Sequence, residues 1–319
     1  MKTRFTSAHA WLLLAMVLWG SAFPSSEWAV RHVPHSVAAL LRFGGGAIVL
    51  VAIQAARRPS ARLSRAMVAR ACFAGLVGVF GYNAMFFWGV SLAPAADGSV
   101  IFPALTPVLT AVFLILTRAE PARPLRLLGL GLGVGGAAFF FVATSLHSGG
   151  GDHLLGDAVF ASGSAVWTTY TLLNRKLLAG MDAAQAVTFA TIAGSVALAG
   201  LAAPDLGQVA WSGLSGGFWL NAIYLAVGPT ALAYLLFARG IRDLGAATAS
   251  AMMFMVPLFG TAFSFVLLAE RFTAAQAVAA VVMLGGAFLA VTAGSRAAAV
   301  PAPRQAPAPA LERATEPAS

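Results

Sequence analysis

Residues 107–120 read PVLTAVFLILTRAE and residues 257–270 read PLFGTAFSFVLLAE. Pro107 thus meets Pro257, Phe113 meets Phe263, and Ala119-Glu120 meets Ala269-Glu270, all at an offset of 150 residues. Gly135-Gly136-Ala137 falls on Gly285-Gly286-Ala287 in the same register, and with a two-residue gap upstream Trp19 falls on Trp167. Alanine and glycine are abundant here, so a single match carries little. Several rarer residues sharing one register point to a duplicated chain.

What surrounds these stretches fixes the solvent they fold in. The chain has 319 residues, 59% of them apolar and 10% charged, with a mean hydropathy of +0.83. A soluble domain carries about 25% charged residues. So few charges cannot cover the surface of a soluble body of this size. A soluble enzyme and a disordered chain are both excluded, and a polytopic membrane protein remains. The net charge of +9 would raise the question of nucleic acid in a soluble protein. Here the placement of the charges points to the bilayer, so no nucleic-acid partner is expected. Cys72 stands alone, which excludes an intramolecular disulfide and a cysteine metal cluster.

About 20 apolar residues cross a ~30 Å hydrocarbon core as a helix. Ten such runs are predicted, at 10–29, 36–55, 71–91, 97–117, 125–145, 157–177, 184–203, 217–238, 246–267 and 275–293. The Ala- and Pro-rich segment 294–319 reads as a disordered cytoplasmic tail. Positive loops stay cytoplasmic. With the N-terminus inside, the inner loops and tail hold 17 of the 20 Lys and Arg; only Arg31 and Arg271 fall outside, and Arg42 lies within a span. Adding or dropping one helix midway would reverse every later loop and destroy this asymmetry. The expected fold is therefore all-α with ten transmembrane helices and both termini cytoplasmic. A cleaved signal over 10–18 is the rival for the first span, and it would orphan the repeat.

Five helices is an odd number, so a second copy enters the membrane from the opposite side. The expectation is two inverted-topology repeats, 10–145 and 156–293, related by an axis in the membrane plane as in many secondary transporters. Duplication that serves packing alone is the plainer alternative. Trp19-Gly20-Ser21-Ala22-Phe23-Pro24, Leu41-Arg42-Phe43 and the stretch from Pro107 to Glu120 resemble one EamA-type repeat. Gly156-Asp157 through Trp167 to Asn174-Arg175-Lys176-Leu177, Tyr234 with Arg239-Gly240-Ile241, and Pro257 to Glu270 resemble a second. Over residues 10–293 the chain is similar to the drug/metabolite transporter superfamily. That resemblance implies a ten-helix carrier in the cell (inner) membrane, with a central path formed mainly by helices 1–4 and 6–9. It leaves the substrate open among amino acids, sugars, nucleotide derivatives and drugs. Glu27 departs from it, because many such members carry a basic residue there.

In this architecture substrates bind near the midplane, where helices are broken. The predicted midpoints fall at Trp19-Gly20, Gly81-Tyr82, Thr106-Pro107, Trp167, Gly228-Pro229 and Pro257. Proline frees a backbone carbonyl one turn earlier, and in lipid that group must be re-satisfied or line a cavity. Pro107, Gly228, Pro229 and Pro257 are thus candidate breaks or hinges. Trp19, Tyr82, Asn83, Trp167, Tyr170, Thr171 and Tyr234 are candidate substrate contacts, rings giving apolar surface and polar tips giving orientation. Ordinary packing of membrane helices is the competing reading of the same residues. Trp28 and Trp88 read as anchors in the aromatic belt.

Arg42 is the charge inside a span, about 9 Å from the predicted outer edge at 1.5 Å per residue. Three roles stay open for it: a charge pair with Glu27, a contact with a substrate carboxylate, or a structural ion pair that holds the hairpin. Glu120 and Glu270 end mate helices and read as fixing helix ends. No Asp, Glu or His falls at a predicted midplane, so facilitated export or exchange is simpler than proton coupling.

The function expected is secondary transport, with export of a small amphipathic metabolite, amino-acid-like or drug-like. A lipid flippase is the alternative. An intramembrane enzyme is disfavoured because Ser164 has no His at matching depth, and a channel because charge rings are missing. No cofactor or metal motif is read from the sequence. The expected partners are a small-molecule substrate and membrane lipids. The glycines of spans 2, 5 and 10 are expected to form close helix contacts, within the chain or in a homodimer through spans 5 and 10.

Overall fold

The structure is a computed structural model that describes residues 7–56, 63–118, 123–147, 151–177, 180–244, 252–270 and 273–295. The 296–319 part of the expected tail lies outside the described residues. Within them the chain is helical. α1 is Ser7–Val30, α2 His35–Ala56, α4 Ala95–Leu116, α5 Pro124–His147, α6 Gly151–Leu177 and α7 Ala183–Ala202. α3 runs Arg65–Gly75, widens to a π-turn at Leu76–Gly81 and continues as Tyr82–Leu92. α8 is built the same way: Gly216–Leu225, a π-turn at Ala226–Leu232, then Ala233–Leu244. α9 is Val256–Leu268, led by a tight turn at Met253–Met255, and α10 is Ala274–Ser295.

Among the described residues seven of these helices, α1–α5, α7 and α8, are long and apolar enough to cross a membrane. Two shorter apolar segments, Met253–Leu268 and Ala274–Ala290, accompany them. The chain is thus an all-helical protein suited to a bilayer. The helix starts follow local chemistry. Ser64 accepts from the Met67 amide to cap α3, Asp182 from Ala184 and Gln185 to cap α7, and Ser215 from Phe218 to cap α8. α3 therefore begins six residues before its predicted span, because the chain carries a cap at Ser64 ahead of the apolar run.

The packing partners come in a regular pattern. α1 lies against α8 and α9, and α6 against α3 and α4. α2 meets the π-turn of α8, and α7 meets the π-turn of α3. α2 also packs on α7, and α5 on α10. The core is threaded by fully buried Phe43, Phe87, Phe140, Phe160 and Phe218. The Phe160 ring from α6 sits so close to α3 and α4 that a Cβ at Gly89 or Gly98 would lie 2.6 Å from it.

The glycines expected to make close contacts divide by face. A Cβ at Gly129 would lie 2.5 Å from the Ala290 nitrogen, and one at Gly136 2.6 Å from the Met283 nitrogen. Gly131, Gly135 and Gly285 meet nothing within 4 Å. The seam between α5 and α10 is therefore formed inside one chain. Gly45 and Gly46 of α2 press against Ala226 and Thr230 of α8.

Candidate functional site

A cavity opens beside the stretches that follow the two π-turns, Tyr82-Asn83 in α3 and Tyr234 in α8, and the proline-bearing α4. Its wall takes Trp19 and Phe23 from α1, Arg42 from α2, Tyr82, Asn83 and Phe86 from α3, and Phe102 and Pro103 from α4. Trp167 of α6, Tyr234 of α8, and Met253 and Val256 at the start of α9 complete it. Six of the eight predicted contacts thus share one wall: Trp19, Arg42, Tyr82, Asn83, Trp167 and Tyr234. Tyr170 stands behind it, its ring centroid 5.1 Å from that of Trp167 and its edge against Gly78. Thr171 is exposed and turns its hydroxyl back to the Trp167 carbonyl over 2.8 Å. It lies away from the cavity.

The rings form two groups. Trp19 meets Tyr234 edge-on at 5.4 Å and Phe237 at 4.9 Å. Tyr82 lies 5.0 Å from Trp167 and 4.4 Å from Phe102. Edge-to-face and offset geometries of this kind are favourable, and they hold the rings as a stiff lining. The helix breaks carry part of the polar chemistry. Gly228 and Pro229 lie in the π-turn of α8, and the Trp19 indole donates to the Pro229 carbonyl over 3.1 Å. Pro257 is the second residue of α9, just past the tight turn whose Met253 reaches the cavity. Pro107 lies inside α4 one turn beyond Pro103, and it is Pro103 that lines the wall.

The expected Glu27–Arg42 pair is corrected by the geometry. Glu27 binds Arg31 at 2.6 Å and accepts the Ala95 amide at 2.6 Å, so its oxygens are used at the end of α1. Arg42, 7% exposed, reaches Thr230 Oγ1 at 3.2 Å and Ser26 Oγ at 3.3 Å. Its guanidinium carbon lies 5.0 Å from the Phe43 ring centroid and 5.5 Å from that of Phe86. One side chain ends at the helix terminus while the other points into the cavity, so the two do not meet.

Glu270 also finds a role that sequence spacing concealed. Its carboxyl oxygens accept the Ala95 and Ala96 amides at 3.2 and 3.0 Å, so it and Glu27 together cap the first turn of α4. A proline precedes that turn and supplies no side-chain cap, and the helix dipole favours negative charge there. Glu120, its sequence mate, lies outside the described residues. Nearby, His153 and Asp97 bond at 2.6 Å, and Asp157 brings a third ligand-type atom within 4.8 Å of theirs. This grouping is spatial, so no sequence spacing announced it.

Burial pushes the Glu270 carboxyl up from 4.5 to about 8, and the hydrogen bond and charge of Glu27 add to the rise. Asp97, His153, Arg31 and Ser264 are the other polar groups around this corner. Between those two values the folded chain holds a proton that the unfolded chain has released. The stabilisation is therefore complete below pH 4.5 and lost as pH rises through about 8. Because Glu270 is only partly buried, its worth is discounted to about 1–2 kcal/mol. Thermal melts in detergent from pH 5 to pH 9 are expected to fall by a few degrees in the wild type and to stay flat in Glu270→Gln. A wild-type melt that rises over this range would contradict the assignment.

Comparison with known proteins adds a family. A family model described as the EamA-like transporter family matches the chain twice, over residues 6–142 and 154–292. The probable terminal-alkyne amino-acid exporter of Streptantibioticus cattleyicolor is 25% identical over 263 residues, 81% of this chain and 84% of its own. The aromatic amino acid exporter YddG of Ancylobacter novellus is 24% identical over 218 residues, 68% of this chain and 74% of its own. A solved crystal structure with 21% identity superposes with a TM-score of 0.62, covering 91% of this chain and 99% of its own. The two family matches span nearly all of the helical body around the cavity, and the chain belongs to the EamA-like transporter family.

Proposed function

We propose that the protein is a secondary transporter of the cell (inner) membrane that exports a small amphipathic metabolite by alternating access. The observation that carries this reading is the cavity, whose wall draws on α1–α4 and on α6, α8 and α9 together. A path walled by both halves of a duplicated chain can open to either side when the halves rock against each other. Ten spans in two inverted repeats, 10–145 and 156–293, with both termini cytoplasmic, are the arrangement proposed.

Several regularities support that arrangement. The π-turns of α3 and α8 begin at Leu76 and Ala226, the same 150-residue offset as the sequence matches. The contacts of α1 with α8 and α9 are answered by those of α6 with α3 and α4. α4 ends near Arg118 with φ 56°, and α9 ends at Ala269 with φ 58°. The family model also matches twice. The names of the two relatives favour an amino-acid-like solute over a lipid.

Proteoliposome counterflow with a mixture of amphipathic metabolites tests the function. Saturable flux that is accelerated by unlabelled solute on the far side is expected. Ohmic current without counterflow would mean a pore, and labelling the two termini on opposite sides of the bilayer would remove the inverted repeat.

A further inference from the structure

We infer that a groove between α4 and α6, on the flank of α6 turned away from the cavity, is a lipid site that holds one acyl chain of an anionic phospholipid, with the phosphate on Arg118. The site is separate from the cavity, and the inference does not rest on the transport reading.

The groove has a volume of about 320 Å³ and is lined by Leu109 and Phe113 of α4 and by residues of α6 from Ala165 to Leu173. At about 100° per residue, Ala165 and Thr169, each two positions from Trp167, stand about 160° round the helix from it. Trp167 faces the cavity, so the groove opens on the opposite flank, where a spanning helix meets the acyl chains of the bilayer. α4 and α6 carry Pro103 and Trp167 to the cavity wall, so a chain seated behind them braces that wall.

A difference between two matched positions builds the groove. In the sequence match Gly20 falls on Thr168, and Phe259 falls on Leu109. A Cβ at Gly20 would lie 2.5 Å from the Phe259 Cβ and 2.9 Å from the Gly260 nitrogen, so α1 and α9 close backbone to backbone. The first turns of α6 close as tightly, because a Cβ at Gly156 would lie 2.8 Å from the Ala93 nitrogen just ahead of α4. Farther along, the residue is Thr168, whose Oγ1 donates to the Thr106 carbonyl at 3.3 Å. A side chain thus holds α6 off α4 where the groove lies.

The wall suits an apolar occupant. Thr169 turns its hydroxyl to the Ala165 carbonyl at 2.9 Å, so the hydroxyls of both threonines are already used and carbon faces the groove. The described wall holds no ionisable side chain. It follows α6 from residue 165 to 173, about 12 Å at 1.5 Å per residue, which fits an extended chain better than a compact solute. Inside a bilayer such a chain gains packing and not release of water, so the headgroup decides which phospholipid is held. Arg118 and Arg123, both exposed, flank the connection from α4 to α5. Arg118 lies five residues past Phe113, about 7 Å along the chain, where the phosphate of a lipid seated in the groove would stand. A guanidinium fork matches phosphate oxygens, and basic residues beside a span attract anionic lipid.

The test is photolabelling of the full chain in nanodiscs by phospholipids with a diazirine in the acyl chain, read by mass spectrometry of the labelled peptides. The exposed face of α10 at Val278 and Val281 serves as the reference for bulk lipid. Relative to that face, labelled phosphatidylglycerol is expected to modify the 109–113 and 165–173 stretches about fivefold more than labelled phosphatidylcholine does, the selectivity one arginine contributes. Changing the bulk lipid from phosphatidylcholine to unlabelled phosphatidylglycerol should remove most of this excess by competition and leave α10 labelling as it was. Arg118→Gln should bring the two lipids to near parity, and Ala165→Phe, whose ring fills the groove, should lower labelling there by both. If either variant fails to fold, the exchange of bulk lipid on the wild type decides. Groove labelling that shows no preference for phosphatidylglycerol, or a preference unmoved by bulk competitor or by Arg118→Gln, overturns the inference. None of these readouts needs flux, so their failure leaves the transport reading as it stands.

Discussion

Gly286→Ala is expected to destabilise the protein strongly, while Gly285→Ala, one residue away, leaves it unchanged or slightly more stable. The new methyl at 286 would sit 2.3 Å from the Gly133 nitrogen and 2.7 Å from the Gly129 carbonyl oxygen. These are backbone atoms of a facing helix, so no side chain can rotate away. α5 and α10 would have to separate along their whole seam, and overpacking of this kind costs about 1–3 kcal/mol or more. Association of helices in lipid depends on such close approach, because there is no hydrophobic force to replace it. At 285 a methyl meets nothing within 4 Å. There, replacing glycine gains about 0.5–1 kcal/mol from the stiffer unfolded chain. Melting in detergent and the yield of monodisperse protein check the pair. Equal losses at both positions would mean that α5 and α10 do not meet along this face.

The all-helical, apolar character of the chain was legible because lipid imposes a crude code. A run of about twenty apolar residues is a property of the chain itself. The π-turns were only half legible. Pro229 signals a break in α8, whereas Leu76–Gly81 contains no proline and is a π-turn all the same. Nothing in α3 read alone would have marked it.

The site followed the same division. Depth along a helix can be counted, and counting brought Trp19, Tyr82, Asn83, Trp167 and Tyr234 to one level. Which way a side chain points cannot be counted so easily. Thr171 has the right depth and the wrong face, and Phe86, Phe102 and Pro103 were passed over although they line the wall. The four-residue spacing from Tyr82 to Phe86 held a usable signal: a residue one turn from a predicted contact shares its face. The Glu27–Arg42 pairing failed for another reason. Proximity in sequence across a short turn made them candidates, but the amides of α4, far away in sequence, offered Glu27 a better partner.

Trp19→Ala and Trp167→Ala are each expected to lower counterflow by about tenfold or more in protein that still folds, since each removes a large ring from the cavity wall. The two residues fall on each other in the sequence match, yet they are held differently in the structure. Trp19 donates its indole N–H to the π-turn of α8 and so ties α1 to that turn, whereas Trp167 is held by the rings of Tyr82, Phe102 and Tyr170. Substitution by phenylalanine separates ring from donor. Trp167→Phe keeps most of its contacts and should transport nearly as well as the wild type. Trp19→Phe loses a hydrogen bond worth about 1 kcal/mol to this arrangement and frees the Pro229 carbonyl. Its melting temperature should drop by a few degrees, and its flux should fall between those of the wild type and Trp19→Ala. Wild-type flux in both alanine variants would show that the solute does not pass between these rings. Equal melts for Trp19→Phe and Trp167→Phe would remove the tie between α1 and the π-turn.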